Sequence, residues 1–200
     1  MDAALPLVIA LVGSTGGLAA VTTVLEDLPA DLPAALLVLL HQAPDRVSRI
    51  AEILDRRCNL PVTAAADGDV LRAGRVLVAP SGKHLLVTHD ERVALIVSDV
   101  FPPSRPSADL LLTTLATACR ERAVAVVLSG NGHDGATGAV AVHDFGGTVI
   151  ASDEATSEVF AMPDAAIARD HAVDFILPLD QIAARLVEWT SADRALGGPR

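Results

Sequence analysis

The chain alternates between short, continuous apolar runs and longer segments in which apolar residues recur every three or four positions. Uninterrupted runs of this length are typical of parallel strands buried on both faces, and the longer period is typical of amphipathic helices. The runs predict strands at residues 5–12, 35–40, 75–79, 124–129, 148–152 and 175–177. The periodic segments predict helices at residues 18–28, 46–58, 107–121, 136–145, 163–169 and 179–190.

The order of these elements predicts an α/β fold. Strands that alternate with helices favour a doubly wound, mostly parallel, Rossmann-like sheet with helices on both faces. Residues 84–88 and 93–97 flank a polar turn at Asp90-Glu91, which predicts one antiparallel hairpin. The chain has no internal repeat and no long linker. We therefore expect one domain over residues 1–190, a flexible tail at 191–200 and no receiver domain.

Composition narrows the class of protein. Hydrophobic residues make up 51% of the chain and aromatic residues 2%, so the core must be built from Ala, Val, Leu and Ile. A net charge of −10 argues against nucleic acid or anionic lipid as partners. The two cysteines form no C-x-x-C pair, and no apolar run reaches the roughly 20 residues of a membrane helix. These features predict a cytoplasmic protein that does not insert into a membrane.

Three turns that follow predicted strands each carry a side chain suited to acyl transfer. Ser14 lies in the glycine-rich turn Gly13-Ser14-Thr15-Gly16-Gly17, His41 ends the second apolar run, and Asp134 lies in the turn Gly130-Asn131-Gly132-His133-Asp134-Gly135. Because parallel strands end at one edge of a sheet, we expect these three side chains to converge there. A serine nucleophile needs a base, and the base needs a carboxylate to orient it, so the pattern predicts a Ser-His-Asp hydrolytic site.

Each element of this site has a simpler interpretation. A glycine-rich turn before a helix also binds phosphate or a dinucleotide, although G-x-G-x-x-G and a P-loop lysine are absent. Asp134 can be a helix cap, and a metal site of His41, His133 and Asp134 fits no familiar ligand spacing. The remaining histidines are interpreted as structural, and one of them lies close to the turn Pro80-Ser81-Gly82. They are His84, His89, His143 and His171.

Taken together, the motifs resemble the catalytic domain of chemotaxis protein-glutamate methylesterases of the CheB type. The similarity runs from about Val8 to Leu186, nearly the full length. Besides the serine turn and the aspartate turn, it rests on five segments in the same order. They are Leu60-Pro61-Val62, Ala66-Asp67-Gly68, Val78-Ala79-Pro80-Ser81-Gly82-Lys83-His84, Arg105-Pro106-Ser107-Ala108-Asp109, and the stretch from Ser152-Asp153-Glu154-Ala155-Thr156 through Met162-Pro163.

The resemblance implies a function and a set of site residues. It places the nucleophile at Ser14, the base at His41 and the acid at Asp134. It implies hydrolysis of γ-glutamyl methyl esters on the cytoplasmic signalling helices of chemoreceptors, with release of methanol, and deamidation of receptor glutamines. It requires no cofactor and no metal. Backbone N–H groups near Thr15 and Asn131 are the candidate oxyanion or substrate-binding donors.

The sequence departs from the family pattern at two places. Methionine is usual where Asn131 stands, and family members commonly begin with a receiver domain, whereas this sequence begins at the first esterase strand. We therefore expect activity that is constitutive or controlled by a separate response-regulator receiver. The two departures also leave a second hypothesis open: a catalytically weak or inactive chemosensory binding module of the same fold. A nucleotide-binding protein is a third.

Overall fold

The structure, a computed structural model, describes residues 7–43, 47–98 and 104–190. Its strands are β1 (Leu7–Gly13), β2 (Ala34–Leu40), β3 (Val62–Ala64), β4 (Arg75–Val78), β5 (His84–Val87), β6 (Val93–Ile96), β7 (Ala123–Val127), β8 (Thr148–Ser152) and β9 (Phe175–Leu177). Its helices are α1 (Gly17–Glu26), α2 (Ile50–Asp55), α3 (Ala108–Cys119), α4 (Ala136–Asp144), α5 (Ala161–Ile167) and α6 (Leu179–Thr190). The predicted tail at residues 191–200 lies outside the described residues.

The strand order reverses at β1. Seven parallel strands form one sheet in the order β3-β4-β2-β1-β7-β8-β9. The chain leaves β1 for β2 on one side and later returns to pair β7 on the other side. In the register, Gly13 lies opposite Leu40, and Val12 lies opposite Val127. The segments that follow β1, β2 and β7 therefore emerge together at the switch point of the sheet, where open α/β sheets bind ligands.

Both faces of the sheet are buried, as the continuous apolar runs predict. Along β1, Val8 and Val12 belong to a core covered by α3, α4, α5 and the β5–β6 hairpin. Ile9 and Leu11 point to the opposite core, under α1, α2 and α6. The predicted doubly wound sheet with one antiparallel hairpin is confirmed.

Two local predictions differ from the structure. The helix predicted at 46–58 spans only Ile50–Asp55 among the described residues, and Leu54 is its one buried side chain. The strand Val62–Ala64 was not predicted. Among the described strands it pairs only with β4, at the sheet edge, and two of its three residues are exposed. Val62-Thr63-Ala64 is neither a continuous apolar run nor long enough to show an alternation, so its sequence carries almost no strand signal.

Two features describe how the chain relates to its surroundings: the length of its helices and the state of its cysteines. Within the described ranges, no helix is long and apolar enough to cross a membrane. Cys119 is buried and Cys58 is partly exposed, and both thiols are free. Burial, together with the nearby Glu26 and Asp55 carboxylates, raises the pKa of Cys58 to about 11. Burial and the nearby Glu91 charge raise the pKa of Cys119 to about 11, although the Arg122 charge lowers it. Both thiols therefore stay protonated near neutral pH.

A glycine lets α3 and α4 approach each other closely. A Cβ atom at Gly138, in α4, would lie 2.5 Å from Leu112 Cβ and 3.1 Å from the Asp109 carbonyl oxygen, both in α3. Atoms at such distances overlap, so no larger residue fits without moving one helix. The contact sets the N-terminal turn of α3 beside that of α4, and both turns border the switch point.

We predict that Gly138→Ala destabilises the protein. In an isolated helix alanine is favoured over glycine by about 1 kcal/mol. Here overpacking against Leu112 should reverse the sign and lower the free energy of unfolding by about 1–3 kcal/mol. Urea denaturation measures the change. The matched control is Thr137→Ala at the exposed neighbouring position, which should change stability by less than about 0.5 kcal/mol. A Gly138→Ala protein as stable as the wild type would contradict this packing argument.

Candidate active site

Ser14 lies in a tight turn between β1 and α1. Its N–H donates to the Ser129 carbonyl oxygen at 2.9 Å, and its own carbonyl oxygen accepts the Gly17 N–H at 2.9 Å. Gly16 takes φ 76°, in the left-handed region that glycine adopts without strain, and forms the N-cap of α1. The half-buried Ser14 therefore lies directly before the positive end of a helix dipole.

The segment that follows β7 passes against this turn. A Cβ atom at Gly130 would lie 2.8 Å from Ser14 Cβ and 2.2 Å from Met162 Sδ. The Ser129 hydroxyl donates to the Thr15 carbonyl oxygen at 2.8 Å and accepts the Val159 N–H at 2.9 Å. Ser129 thus fastens the serine turn to the segment that leads into α5. Sequence reasoning did not single out Ser129, because a serine at a strand end has no distinctive pattern.

His41 is placed beside Ser14 by strand register. Its N–H donates to the Gly13 carbonyl oxygen at 3.1 Å, one step beyond the last pair of β1 and β2. Its imidazole is 17% exposed, and Nε2 lies 2.8 Å from Asp134 Oδ2. Since Nε2 faces a carboxylate, it carries the ring hydrogen in the neutral imidazole, and Nδ1 is the nitrogen left to accept a proton.

Asp134 is held by four donors. Besides His41, its oxygens accept the Ala108 N–H at 2.7 Å, the Asp109 N–H at 3.0 Å and the Ser107 hydroxyl at 3.1 Å. Burial raises the pKa of Asp134, but hydrogen bonds from His41 and from the Asp109 and Ala108 N–H groups outweigh burial, and the pKa lies below its usual value. The carboxylate is therefore ionised at neutral pH.

Asp134 does not cap α4, the helix that follows it, as the helix-cap interpretation expected. It caps α3, which is distant in sequence. In return, Asp109 of α3 accepts the Gly135 N–H at 2.9 Å and the Gly138 N–H at 2.8 Å at the start of α4. The two helices thus exchange capping carboxylates. Burial and the neighbouring Asp134 charge raise the pKa of Asp109 against the opposing backbone hydrogen bonds.

The structure joins two of the three predicted catalytic residues directly. His41 and Asp134 form a hydrogen bond, and Ser14 lies on the adjoining strand end. Within the described part of the chain, no hydrogen bond links the Ser14 hydroxyl to His41. Contacts of this kind are often longer in an enzyme without substrate and shorten when substrate binds.

The two candidate oxyanion positions contact each other. Asn131 Nδ2 donates to Thr15 Oγ1 at 3.1 Å, and both side chains are exposed. Neither backbone N–H forms a hydrogen bond to any residue that the structure describes. Two backbone donors without a hydrogen-bond partner among the described residues thus lie close to Ser14, one in the next residue and one directly after Gly130. Across the same ranges, no group of three His, Cys, Asp or Glu side chains is arranged to hold a metal ion.

The comparisons with known proteins agree with this architecture. A family model described as CheB methylesterase matches residues 9–186. The chain belongs to the CheB methylesterase family. A relative from Anaeromyxobacter dehalogenans, named protein-glutamate methylesterase/protein-glutamine glutaminase 1, is 40% identical over 88% of this chain and 50% of its own length. One from Moorella thermoacetica with the same activity name is 40% identical over 90% of this chain and 43% of its own length.

A solved structure extends the match to three dimensions. The crystal structure of the Thermotoga maritima CheB methylesterase catalytic domain superposes with a TM-score of 0.86 and 34% identity, over 92% of this chain and 98% of that one. The chain spans about half the length of the curated relatives it matches. The resemblance to CheB seen in the sequence is confirmed.

We predict that the two capping carboxylates respond oppositely to pH. Because the pKa of Asp134 is lowered on folding, its ionisation stabilises the protein above the ordinary carboxyl range, and this is lost as pH falls through the folded pKa. Because the pKa of Asp109 is raised, its ionisation disfavours folding above the folded pKa, and acid removes that cost.

Urea denaturation from about pH 7 to about pH 3 of wild type, Asp134→Asn and Asp109→Asn tests this. The stability advantage of the wild type over Asp134→Asn should shrink as pH falls. The stability of the wild type relative to Asp109→Asn should instead improve. Differences that change in the same direction for both variants would contradict the assignment.

Proposed function

We propose that this chain is the catalytic domain of a protein-glutamate methylesterase and glutaminase that acts on the cytoplasmic signalling helices of chemoreceptors. The supporting observation is the His41–Asp134 pair beside the Ser14 turn, at the switch point of the sheet. Membership of the CheB methylesterase family and the activity in the names of its relatives add to this support.

The first step is attack by the serine. Ser14 Oγ adds to the γ-carbonyl carbon of a glutamyl methyl ester while its proton passes to His41 Nδ1. The resulting imidazolium is stabilised by Asp134, which accepts the Nε2–H and stays ionised because three further donors hold it. A serine without such a base is a poor nucleophile near neutral pH.

Hydrogen-bond donors must then stabilise the negative charge that develops on the carbonyl oxygen of the substrate. The N–H groups of Thr15 and Asn131 have no hydrogen-bond partner among the described residues and lie close to Ser14, and α1 adds the positive end of its dipole. Fixed donors aimed at a developing oxyanion require no reorganisation during the reaction. We assign the oxyanion site to these two backbone groups, and the Asn131 amide, which donates to the Thr15 hydroxyl, holds the two loops together.

The second half of the reaction releases the products. The tetrahedral intermediate collapses, the C–O bond to methoxide breaks, and the proton on His41 Nδ1 goes to the leaving group as methanol. Water, deprotonated by the same nitrogen, then attacks the acyl-enzyme to give glutamate and restore Ser14. A glutamine substrate follows the same course with ammonia as the leaving group. None of these steps calls for a cofactor or metal.

We predict that Ser14→Ala abolishes methanol release from methylated receptor peptide. Loss of the nucleophile should lower kcat by about 1,000-fold or more while the fold persists. The matched control is Thr23→Ala, at a partly exposed position on the helix that follows Ser14, and it should keep full activity. Residual turnover by Ser14→Ala close to that of the wild type would show that another group is the nucleophile.

A serine-directed phosphonate separates the enzyme from the alternative of an inactive binding module, which Asn131 motivates. Under the enzyme hypothesis, the wild-type protein gains one phosphonyl group, and the modified peptide contains Ser14. Protein that binds receptor helices yet gains no label would instead support the binding module.

We also predict that kcat/KM falls as the solution is made more acidic, because only the neutral imidazole of His41 accepts the serine proton. Methanol release measured at a series of pH values checks the prediction. A pH-independent rate would argue that His41 is not the base.

Parallel assays with and without a phosphorylated receiver test control by a separate regulator. Constitutive activity predicts equal rates, and a large stimulation favours the regulator.

A further inference from the structure

His84 lies behind the candidate active site and uses both of its ring nitrogens. It is the first residue of β5 and is fully buried, with 0% of its surface exposed. Its Nδ1 accepts the Ser107 N–H at 3.1 Å, and its Nε2 lies 2.7 Å from the Ser98 hydroxyl. His84 is therefore removed from solvent, as expected for a structural histidine. One of its two hydrogen-bond partners, Ser107, also binds Asp134.

Ser107 connects His84 to the carboxylate. It is the N-cap of α3 and is itself buried. Its N–H is bound by His84, and its hydroxyl donates to Asp134 Oδ1 at 3.1 Å. The next two residues, Ala108 and Asp109, supply the other backbone donors to Asp134. The group that fixes the Ser107 peptide thus fixes the first turn of α3, where three of the four donors to Asp134 originate.

These contacts define the protonation of His84. A ring nitrogen that accepts an N–H carries no hydrogen, so Nδ1 is bare and Nε2–H donates to Ser98. Burial lowers the pKa of His84 and the Arg105 charge lowers it further, while Asp134 acts in the opposite direction. A neutral ring with this tautomer is the only form that accepts from Ser107.

We propose that His84 is a positioning residue that holds the N-terminal turn of α3 in the orientation that presents Ser107, Ala108 and Asp109 to Asp134. This rests on the proposed function, in which Asp134 orients His41. Because His84 is fully buried, it offers substrate no surface to bind, and its ring bonds to Ser98 and Ser107 rather than to His41. It acts through its hydrogen bond with the Ser107 N–H, and the β5–β6 hairpin, which carries His84, holds the ring in place.

Two substitutions separate this role from simple filling of the core. The side-chain oxygen of asparagine reaches the place of Nδ1, so His84→Asn keeps an acceptor for the Ser107 N–H and loses the contact with Ser98. The longer glutamine reaches the place of Nε2, so His84→Gln keeps the contact with Ser98 and leaves the Ser107 N–H unpaired. If His84 only filled space in the core, the activity of each variant should fall in proportion to its loss of stability.

The expected result is a clear difference between the variants. His84→Asn should keep kcat within about twofold of wild type, and His84→Gln should lose about tenfold in kcat with KM unchanged. The rise of kcat/KM with pH should also move to lower pH in His84→Gln, since a misplaced Asp134 stabilises the His41 imidazolium less. Asp109 and Arg105, the other charged groups nearby, are the same in both variants. Equal losses in both variants, or none in either, would overturn the proposal.

NMR of histidine-labelled protein tests the proposal without an activity assay. In the wild type, His84 should show the neutral Nε2–H tautomer. The Nε2–H proton of His41 bound to Asp134 should be retained in His84→Asn and shifted or broadened in His84→Gln. An Nδ1–H tautomer at His84 would refute the proposal even if neither variant folds. A wild type without esterase activity but with this NMR pattern would count against the proposed function alone.

Discussion

A carboxylate that is mostly removed from water must be compensated by several donors, and the site is built around that requirement at Asp134. An isolated buried charge is too costly to keep, so it persists only where hydrogen bonds replace the lost water. Asp134 is 12% exposed and accepts from one imidazole, one hydroxyl and two backbone N–H groups. The first turn of α3 supplies most of these donors, and Asp109 from the same turn caps α4 in return. The orientation of the His41–Asp134 pair and the capping of α3 thus depend on the same hydrogen bonds.

Close backbone approach then places the Ser14 turn beside this carboxylate–imidazole pair. β1 is the central strand at the reversal of the sheet, so the turn after it is bordered by the end of β2 and by the loop after β7. Gly130 allows that loop to lie against Ser14, and Ser129 fastens the serine turn to the segment before α5. Gly138 holds α4 against α3 in a similar way. Gly130 and Gly138 are thus required for close packing.

The sequence predicts those parts of the site that depend on strand ends. Ser14 and His41 each follow an apolar run, and parallel strands joined by a helix place such residues side by side, so their proximity follows from pattern alone. Asp134 was found in the same way. The residues that hold it could not be found, because the N-terminus of α3 reaches Asp134 only through tertiary packing. In the sequence, Asp109 stands out only as part of a segment shared with the family, and His84 only as a histidine at the start of a hairpin strand.

The most direct test of the account is a crystal structure of the wild-type protein after reaction with a serine-directed phosphonate, whose tetrahedral phosphorus mimics the proposed intermediate. The account predicts phosphorus bonded to Ser14 Oγ, with a phosphonyl oxygen about 2.7–3.1 Å from the Thr15 and Asn131 nitrogens. His41 Nδ1 should face the adduct while Nε2 stays bound to Asp134. An adduct on another residue, or a phosphonyl oxygen that faces away from both nitrogens with His41 detached from Asp134, would contradict it.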